Sequence, residues 1–360
     1  MLKAIDLFAG CGGFSCGFER AGFHIQTAVE FDPTIAKTYA LNHPEVNLLV
    51  SDIAKVDNQR YFHKKDADLI IGGPPCQGFS MAGARIRHNF VDDPRNYLFK
   101  HYVNVVRIVR PRVFIFENVK GILHYQQGKV FENIEKTFED IGYKLQYFVV
   151  CAKDFGVPQA RERTILIGST FNFSLEQEIL RTKQEIKKSN PHFFDTPTVW
   201  DAIGNLPKPT TTGLITAPLA KTMYQKELKG KSKSVSNHVA TCHKDNIITR
   251  MRKIAPKQNF RVLNENIKSI HSGSYGRLES KGIAATITTR FDTPSGGKFI
   301  HPTENRTITP REAARLQSFP DDFKFLGNKS SVCRQIGNAV PPKLAYFFGV
   351  MLRRLLHDKR

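Results

Sequence analysis

One cysteine in the sequence is placed as a catalytic nucleophile would be. Cys76 follows two prolines in Gly72-Gly-Pro-Pro-Cys-Gln-Gly-Phe-Ser80, directly after the apolar run DLII. The prolines stiffen the turn and aim the next side chain, and the glycines that follow allow the loop to move. A thiol on a mobile loop after a strand is typical of covalent catalysis. A buried cysteine in a tight turn is the alternative that this segment alone leaves open.

Two further segments could supply a carboxyl group and guanidinium groups to the same site. Phe116-Glu-Asn-Val119 closes another apolar strand, so Glu117 would lie near the Cys76 loop if the two strands are neighbours. Arg161 and Arg163 alternate onto one side of a strand in Gln159-Ala-Arg-Glu-Arg163, so both could project into one site. A glutamate that caps the next helix and a surface salt-bridge pair are the structural alternatives.

A glycine-rich segment near the N-terminus could approach a ligand closely. Asp6-Leu-Phe-Ala-Gly-Cys-Gly-Gly-Phe-Ser15 follows a strand, and its glycines let the backbone turn tightly. It is not G-x-G-x-x-G, which disfavours a nicotinamide dinucleotide and with it an oxidoreductase. Glu30, at the end of the next strand, could accept both ribose hydroxyls, and Asp52 after the third could accept an adenine amino group. These acids favour a nucleoside ligand without phosphates; solvated loop acids and helix caps are the alternatives.

The elements that must position these residues alternate between strands and helices. Amphipathic spacing predicts helices at 33–42, 97–109 and 128–141, and later at 310–319, capped by Thr309, and at 341–356. Alternation predicts right-handed crossovers and a doubly wound, mostly parallel α/β sheet, with ligands at the carboxyl ends of the strands. The apolar runs that predict buried strands are 3–8, 25–30, 47–50, 68–73, 112–117, 145–150 and 164–169.

The charge of the chain indicates a polyanionic partner. The net charge is +20, and residues 170–300 carry 21 Lys and Arg against 10 Asp and Glu. Lysines and arginines displace condensed counterions from phosphates, so this segment is the expected polyanion-binding surface. No run approaches the ~20 apolar residues of a membrane helix, and no secretory signal opens the chain; we expect a cytoplasmic protein without a membrane partner. The cysteine spacing predicts no structural metal.

Taken together, these segments resemble the DNA cytosine-5 methyltransferase family of bacterial restriction-modification systems. The glycine-rich opening is similar to the family's cofactor motif, PPCQ to its nucleophile motif, ENV to its glutamate motif and QARER to its arginine motif. Residues 306–317 and 335–342 resemble its two C-terminal motifs, and all the blocks stand in the family order. The resemblance implies a Rossmann-like catalytic domain at 1–170, a target-recognition region at 171–300 and a segment at 301–360 that returns to the catalytic domain.

The resemblance also implies a reaction and its residues. S-adenosylmethionine would methylate C5 of a flipped-out cytosine in a specific duplex sequence through a Cys76–C6 adduct. Glu117 would hydrogen-bond the N3/N4 edge of the base, and Arg163, supported by Arg161, would stabilise negative charge at O2. The cofactor contacts carried over by motif are Phe8, Gly10, Gly12, Glu30, Phe31, Asp52, Ile53, Pro75, Leu98 and Asn338. The predicted DNA contacts are Gln77, Ser80, Arg85, Arg87, Arg277, Thr286 and Arg290.

Partners and alternatives follow from the same family. Double-stranded DNA is the expected partner of a monomeric enzyme, with a cognate restriction endonuclease encoded nearby. One alternative is the family's tRNA-methylating branch, which has PPCQPF where this chain has PPCQGFS and which lacks a long recognition region. The other is an inactive DNA-binding regulator on the same fold, which the presence of the thiol, the glutamate and both arginines disfavours.

Overall fold

The chain divides into two compact units, each made of several stretches. The computed structural model describes residues 1–74, 98–263, 265 and 272–359. Unit 1 contains Met1–Cys151, Glu162–Pro191 and Leu344–Arg360, and unit 2 contains Ala152–Arg161 and His192–Lys343. These limits differ from the predicted breaks at residues 170 and 300, because residues 152–161 and 301–343 pack within unit 2. The functional division into catalytic and recognition regions stays a prediction.

Unit 1 is built on a seven-stranded sheet in the order β3-β2-β1-β4-β5-β8-β6. Strands β1 to β5 pair in parallel, whereas β8 runs antiparallel to both of its neighbours. This arrangement confirms the predicted mostly parallel α/β sheet. The strands are β1 (Lys3–Leu7), β2 (His24–Glu30), β3 (Asn47–Val50), β4 (Leu69–Gly72), β5 (Val113–Val119), β6 (Lys144–Cys151) and β8 (Glu162–Ser169).

The helices begin where capping side chains satisfy their first backbone N–H groups. The Asp32 carboxylate accepts bonds from the backbone N–H of Thr34 and Ile35 at 2.8 and 3.2 Å and opens the helix predicted at 33–42. Thr309 caps the helix that begins at Pro310, as the sequence predicts, and the structure adds a reciprocal bond from Glu312 that completes a capping box. The described helices are α1 (Gly13–Arg20), α2 (Pro33–Asn42), α3 (Asn58–Tyr61), α4 (Leu98–Val109), α5 (Lys129–Glu139), α6 (Leu175–Ser189), α7 (Val199–Ile203), α8 (Met223–Lys229), α9 (Asp245–Arg252), α10 (Pro310–Leu316), α11 (Lys329–Asn338) and α12 (Pro342–Asp358).

An aromatic cluster fixes the centre of the sheet in unit 1. Phe114 and Phe116 of β5 and Tyr102 of α4 are fully buried, and Phe114 packs on Phe138 of α5 with ring centroids 4.1 Å apart. The Tyr102 hydroxyl donates to the carbonyl oxygens of Ile70 and Ile115, on β4 and β5. Burying several aromatic rings against two neighbouring strands holds the ends of β4 and β5 at a fixed separation.

Unit 2 has far less regular backbone. Its strands are two residues long: β7 (Gln159–Ala160) pairs in parallel with β11 (Ala284–Ala285), and β9 (Ile215–Thr216) pairs antiparallel with β10 (Ser234–Val235). Backbone groups outside these strands are bonded in turns, and several carbonyl oxygens accept bonds from buried arginine side chains such as Arg277 and Arg311. Across the part of the chain that the structure describes, no helix combines the length and the apolar character needed to cross a membrane.

Candidate active site

A buried ion pair lies at the carboxyl end of β5. Antiparallel pairing places Val119 of β5 opposite Arg163 of β8, so Glu117 and Arg163 are diagonal neighbours on one face, within reach of long side chains. The Arg163 Nε lies 2.8 Å from the Glu117 Oε1, and the two side chains are 15% and 10% exposed. The pair therefore offers a carboxylate and a guanidinium together at the sheet edge where ligands of this fold class bind.

The end of β4 lies beside this pair. A Cβ added to Gly73 would be 3.4 Å from the Glu117 Oε2, and the Asn118 side-chain amide donates to the Pro74 carbonyl oxygen at 3.4 Å. The chain enters residues 75–97 here, two residues before Cys76 in the sequence. Six predicted site residues lie outside the described residues: Pro75, Cys76, Gln77, Ser80, Arg85 and Arg87.

Arg161 and Arg163 belong to different compact units. Arg161 lies between β7 and β8 rather than within a strand, so the alternation that predicted both arginines on one side does not extend across it. Its guanidinium is 1% exposed and donates to the carbonyl oxygens of Ile287 and Gly337 at 3.3 and 3.0 Å. These contacts belong to unit 2, whereas the contacts of Arg163 with Glu117 belong to unit 1.

The glycine-rich turn is fastened to the predicted ribose-binding carboxylate. The Glu30 Oε2 accepts the backbone N–H of Gly10 at 2.8 Å, and its Oε1 accepts that of Asp32 at 2.8 Å. Burial raises the pKa of Glu30, and these backbone bonds act in the opposite direction. The turn needs left-handed backbone at Gly10 (φ 58°) and Gly12 (φ 93°), and space is open where a Gly10 Cβ would stand. A ligand can therefore approach the backbone at Gly10.

The other predicted cofactor residues that the structure describes differ in their surroundings. Phe31, directly after Glu30, is 70% exposed although it is a large apolar side chain, and Phe8 has the unusual φ of 60°. Asp52 caps a short turn by accepting the backbone N–H of Ala54, so the predicted alternative of a helix cap is realised there. Ile53 and Leu98 pack in the apolar core of unit 1. Asn338 is exposed at the end of α11, in unit 2.

The predicted DNA contacts in unit 2 differ sharply in exposure. Arg277 is 5% exposed, and its guanidinium donates to four carbonyl oxygens and to the Asn305 side chain at 2.6–2.8 Å. All of these bonds are internal to unit 2, so Arg277 has a structural role there and is not placed to contact DNA. Arg290 is 68% exposed. The Thr286 hydroxyl donates to the Ala160 carbonyl oxygen at 2.9 Å.

A buried polar chain beneath the glycine-rich turn was not predicted from the sequence. The Ser15 hydroxyl donates to the Asp6 Oδ2 at 2.6 Å and lies 2.8 Å from the Tyr39 hydroxyl. Burial raises the pKa of Asp6 to about 7, and the charges of Glu30 and Glu19 add to the rise. An acid inside a strand was the signal for Asp6, whereas neither Ser15 nor Tyr39 stands in a pattern that predicts a partner.

His43 supports the same turn from below. The ring is 3% exposed, its Nδ1 lies 2.8 Å from the Glu19 Oε2, and a Cβ on Gly12 would be 2.2 Å from its Nε2. Residue 12 must therefore lack a side chain. No sequence signal identified His43, because a histidine at the end of a helix is compatible with many surroundings.

Three of the described cysteines lack the features of a catalytic nucleophile at the sheet edge. Burial raises the pKa of the Cys333 thiol to about 12 and moves that of Cys11 further still, and a thiolate is the reactive form. Cys242 is exposed, but it stands in unit 2, away in sequence from the strand ends of the sheet. Among the described residues, no group of three or more histidine, cysteine or acidic side chains is placed to hold a metal ion.

Comparison with known proteins gives one consistent result. A family model described as C-5 cytosine-specific DNA methylase matches residues 2–352. The type II methyltransferase M1.HphI of Haemophilus parahaemolyticus is 38% identical over 349 residues, covering 96% of this chain and 84% of that protein. M.DdeI of Desulfomicrobium norvegicum is 35% identical and covers 96% and 86%. A solved structure, described as a candidate DNA modification methyltransferase from an E. coli prophage, superimposes with a TM-score of 0.78 at 29% identity, covering 99% and 100%.

Proposed function

The chain belongs to the C-5 cytosine-specific DNA methylases, an S-adenosylmethionine-dependent family that methylates cytosine in DNA at C5, and we propose that Cys76, Glu117 and Arg163 carry out this reaction. The observation that supports the proposal most is the buried Glu117–Arg163 pair beside the end of β4. Pro74 is bonded to Asn118, and two residues span at most about 7 Å of chain. Cys76 is therefore close enough in sequence to serve the same site.

The proposed chemistry begins with activation of the cytosine ring, because C5 is a poor nucleophile. The Cys76 thiolate forms a bond from Sγ to C6, and the ring electrons move onto C5. S-adenosylmethionine, when bound, would supply its sulfonium methyl group to C5: the S–CH3 bond would break as the C5–CH3 bond forms, and the thioether S-adenosylhomocysteine would be the leaving group. Loss of the C5 proton to a base and cleavage of the Sγ–C6 bond restore the aromatic ring and the free thiolate.

Glu117 and Arg163 would stabilise the charge that the addition creates. The bound base would contact both side chains. Glu117, protonated or sharing a proton with the ring, would hydrogen-bond its N3/N4 edge, and the Arg163 guanidinium would donate to O2. Their ion pair keeps both groups at one place before the base arrives. Because the cytosine edge is unreachable inside a duplex, the base must flip into this pocket.

The residues of unit 1 fit the methyl donor. The Glu30 carboxylate is fixed by Gly10 and Asp32 and can accept ribose hydroxyls through its remaining lone pairs. The exposed ring of Phe31 directly follows it and can stack on adenine. Phe8, Gly12, Asp52, Ile53, Pro75, Leu98 and Asn338 complete the proposed cofactor contacts.

For DNA we propose contacts from residues of each unit. The proposed contacts are Gln77, Ser80, Arg85 and Arg87, after the nucleophile, together with Thr286 and Arg290 of unit 2. Of these, Arg290 offers a well-exposed guanidinium in the described chain. Direct readout of bases requires such side chains to reach the major groove.

Trapping the covalent intermediate tests the nucleophile. With S-adenosylmethionine and duplex DNA containing 5-fluorocytosine, the purified protein should form a denaturation-resistant complex, because fluorine cannot leave C5 as a proton does. Cys76→Ala should abolish the complex. The matched control Cys242→Ala removes an exposed thiol of unit 2 and should leave the complex at the level of the unaltered protein. A complex that survives Cys76→Ala, or its absence from the unaltered protein, contradicts the mechanism.

Bisulfite sequencing of DNA from cells expressing the protein identifies the methylated sequence. Labelled methyl transfer should then favour duplex DNA carrying this sequence over tRNA by a large factor; equal transfer to tRNA would favour the RNA-methylating branch. Glu117→Ala should keep binding of S-adenosylmethionine and lose about 10²-fold or more in turnover. An unchanged turnover rate would remove Glu117 from the site.

We propose further that the enzyme works as a monomer in the bacterial cytoplasm, with a restriction endonuclease of the same specificity encoded nearby. The support is that the relatives M1.HphI and M.DdeI are type II methyltransferases of bacteria. The proposed chemistry uses a thiol, a carboxyl group and a guanidinium, so we expect no metal requirement. Turnover in excess EDTA should equal turnover without it, and sedimentation should give the mass of one chain.

A further inference from the structure

The segment Gln159–Arg163 performs two separate tasks on either side of Glu162. Arg163 contacts Glu117 in unit 1, as described above. Gln159 and Arg161 are 0% and 1% exposed in unit 2, and the backbone N–H of Arg161 donates to the Gln159 carbonyl oxygen two residues back. This tight turn ends β7 before β8 begins. The two arginines therefore act on different parts of the protein although one residue separates them.

Gln159 and Arg161 together hold the backbone of one residue. The Gln159 Oε1 accepts the backbone N–H of Ile287 at 2.8 Å, and the Arg161 Nη1 donates to the Ile287 carbonyl oxygen at 3.3 Å. The Gln159 amide also donates to the Leu316 carbonyl and to the Gln317 side chain at 3.3 and 2.8 Å. Both backbone groups of Ile287 are thus satisfied by buried side chains, as irregular buried backbone requires.

The same stretch of chain is held from two other directions. β11 pairs with β7, and the Thr286 hydroxyl donates to the Ala160 carbonyl oxygen. On the opposite side Gly337, whose carbonyl accepts from Arg161 at 3.0 Å, packs so closely that an added Cβ would be 2.5 Å from the Thr288 backbone. Residues 284–289 are therefore fixed between β7 and the end of α11. We call residues 284–290 the clamped segment.

The clamped segment has a fixed inner side and an accessible outer side. Ala284 and Ile287 are fully buried, whereas Ala285 and Arg290 are exposed. The Arg290 side chain is 68% exposed. Its guanidinium contacts Asp292 and Thr293, which are close to it in sequence. A rigid inner side fixes the direction from which the outer side can meet a phosphate backbone.

We propose that Arg161 is a positioning residue for DNA engagement, which orients the clamped segment, and not a group at the reacting base. The proposal rests on the proposed function, because it takes duplex DNA as the partner of this segment. The guanidinium is buried and already donates to two carbonyl oxygens, so turning it toward a base would leave both unsatisfied. Both bonds come from the same Nη1. The planar guanidinium holds its two N–H groups in fixed directions, whereas the ammonium of a lysine rotates on a flexible stem.

Arg161→Lys and Arg163→Lys form the matched pair of variants that tests the proposal. The probe is a labelled duplex carrying the sequence found by bisulfite sequencing, and the readouts are its Kd by anisotropy and the single-turnover methylation rate at saturating duplex. Arg161→Lys should raise the Kd at least about tenfold, equivalent to ~1.4 kcal/mol, and keep the saturated rate within about twofold. Arg163→Lys should lower the saturated rate by about 10²-fold or more.

Amide hydrogen exchange supplies a second readout that does not depend on turnover. In Arg161→Lys the amides of residues 284–290 should exchange faster, while those of β1, β4 and β5 keep the rates of the unaltered protein. Gly337→Ala, which pushes on Thr288 from the other side, should reproduce the raised Kd with the saturated rate retained.

The outcomes separate this proposal from the proposed function. If the unaltered protein transfers no methyl group to DNA, the proposed function fails before any variant is compared. If it is active but Arg161→Lys lowers the saturated rate as strongly as Arg163→Lys at an unchanged Kd, Arg161 acts at the base and the proposal is overturned. Unchanged exchange at 284–290 overturns it as well.

Discussion

The two compact units satisfy their buried backbone in different ways. In unit 1 neighbouring strands bond each other over as many as eight residues, as between β6 and β8. In unit 2 the strands are two residues long, and arginine side chains donate hydrogen bonds to buried backbone carbonyl oxygens. Within the described residues, the arginines classed as buried all lie in unit 2: Arg161, Arg277, Arg306, Arg311 and Arg315.

Arginine suits this task because its guanidinium carries five N–H donors and no acceptor. Arg311 donates to the carbonyl oxygens of Ser236, Pro320 and Phe323 at 2.6–3.0 Å, and burial lowers its pKa to about 10. Carbonyl oxygens that no neighbouring strand bonds thereby accept hydrogen bonds from an arginine side chain. The basic composition of unit 2 is therefore partly structural, and a count of charges overstates the charge that faces DNA.

The largest effect that we expect comes from removing one of these internal arginines. Arg277→Met keeps an apolar stem but leaves five acceptors without their donor, so unit 2 should lose about 3 kcal/mol or more of stability. Denaturant unfolding measures the loss. Arg290→Met, at an exposed position of the same unit, should stay within about 0.5 kcal/mol of the unaltered protein. Equal losses would mean that burial of the guanidinium does not distinguish these arginines.

In unit 1 we expect alanine substitutions in the glycine-rich turn to lower stability and to weaken binding of the cofactor. Gly12→Ala places a Cβ against His43 at a φ of 93°, and should cost about 2 kcal/mol of unfolding free energy. Gly10→Ala meets open space and should cost about 1 kcal/mol, yet it should weaken S-adenosylmethionine binding at least about tenfold because it fills the ligand's space. Calorimetry of unfolding and of binding separates the two effects. Unaltered binding by Gly10→Ala would place the cofactor elsewhere.

The last expected effect is a difference in pH dependence between two buried acids. Burial raises the pKa of Asp6 to about 7, so from about pH 4 to 7 the folded state holds a proton that the unfolded state has lost, and stability falls as pH rises. Glu312 of unit 2 shows the opposite case: burial opposes its ionisation, but the hydrogen bonds and charge of Arg306 lower its pKa to about 2. Its contribution is complete above about pH 4.5 and is lost as pH falls toward 2.

Asp6→Asn isolates the first of these contributions. Buried histidines such as His238 and His301, whose pKa values burial lowers, make stability rise with pH over the same range. The measurement is therefore the difference in unfolding free energy between the variant and the unaltered protein. That difference should shift by about 2 kcal/mol in favour of Asp6→Asn from pH 5 to pH 7. A difference that stays flat would show that Asp6 ionises normally in the folded protein.

Several elements could be read from the sequence because their causes are local. The helix at 33–42 was predicted with both ends correct, since Asp32 and Pro33 begin it. The cap at Thr309 was also predicted, because it stands directly before Pro310 at the start of a helical pattern. The antiparallel direction of β8 was not predicted, because alternation with helices indicated parallel pairing. The short connection from β6 to β8 contains no α-helix, and the chain returns antiparallel.

The environment of Arg161 could not be predicted from the local sequence pattern. A strand pattern through residues 159–163 put both arginines on one side, but the backbone changes strand partner between β7 and β8. The period-two rule holds only within one continuous strand. Arg277 was predicted to contact DNA from its charge and its position along the chain. Neither property reveals that its guanidinium is buried and bonded to backbone carbonyl oxygens.

By itself, the sequence determined the α/β class, the order of the strands along the chain and the residue types able to do the chemistry, because periodicity, caps and short motifs are local properties. Only the tertiary structure decided that Glu117 and Arg163 meet, that Arg161 holds the clamped segment and that Arg277 is internal. Each of these facts depends on which distant backbone groups need a donor, and that need arises only once the chain has folded.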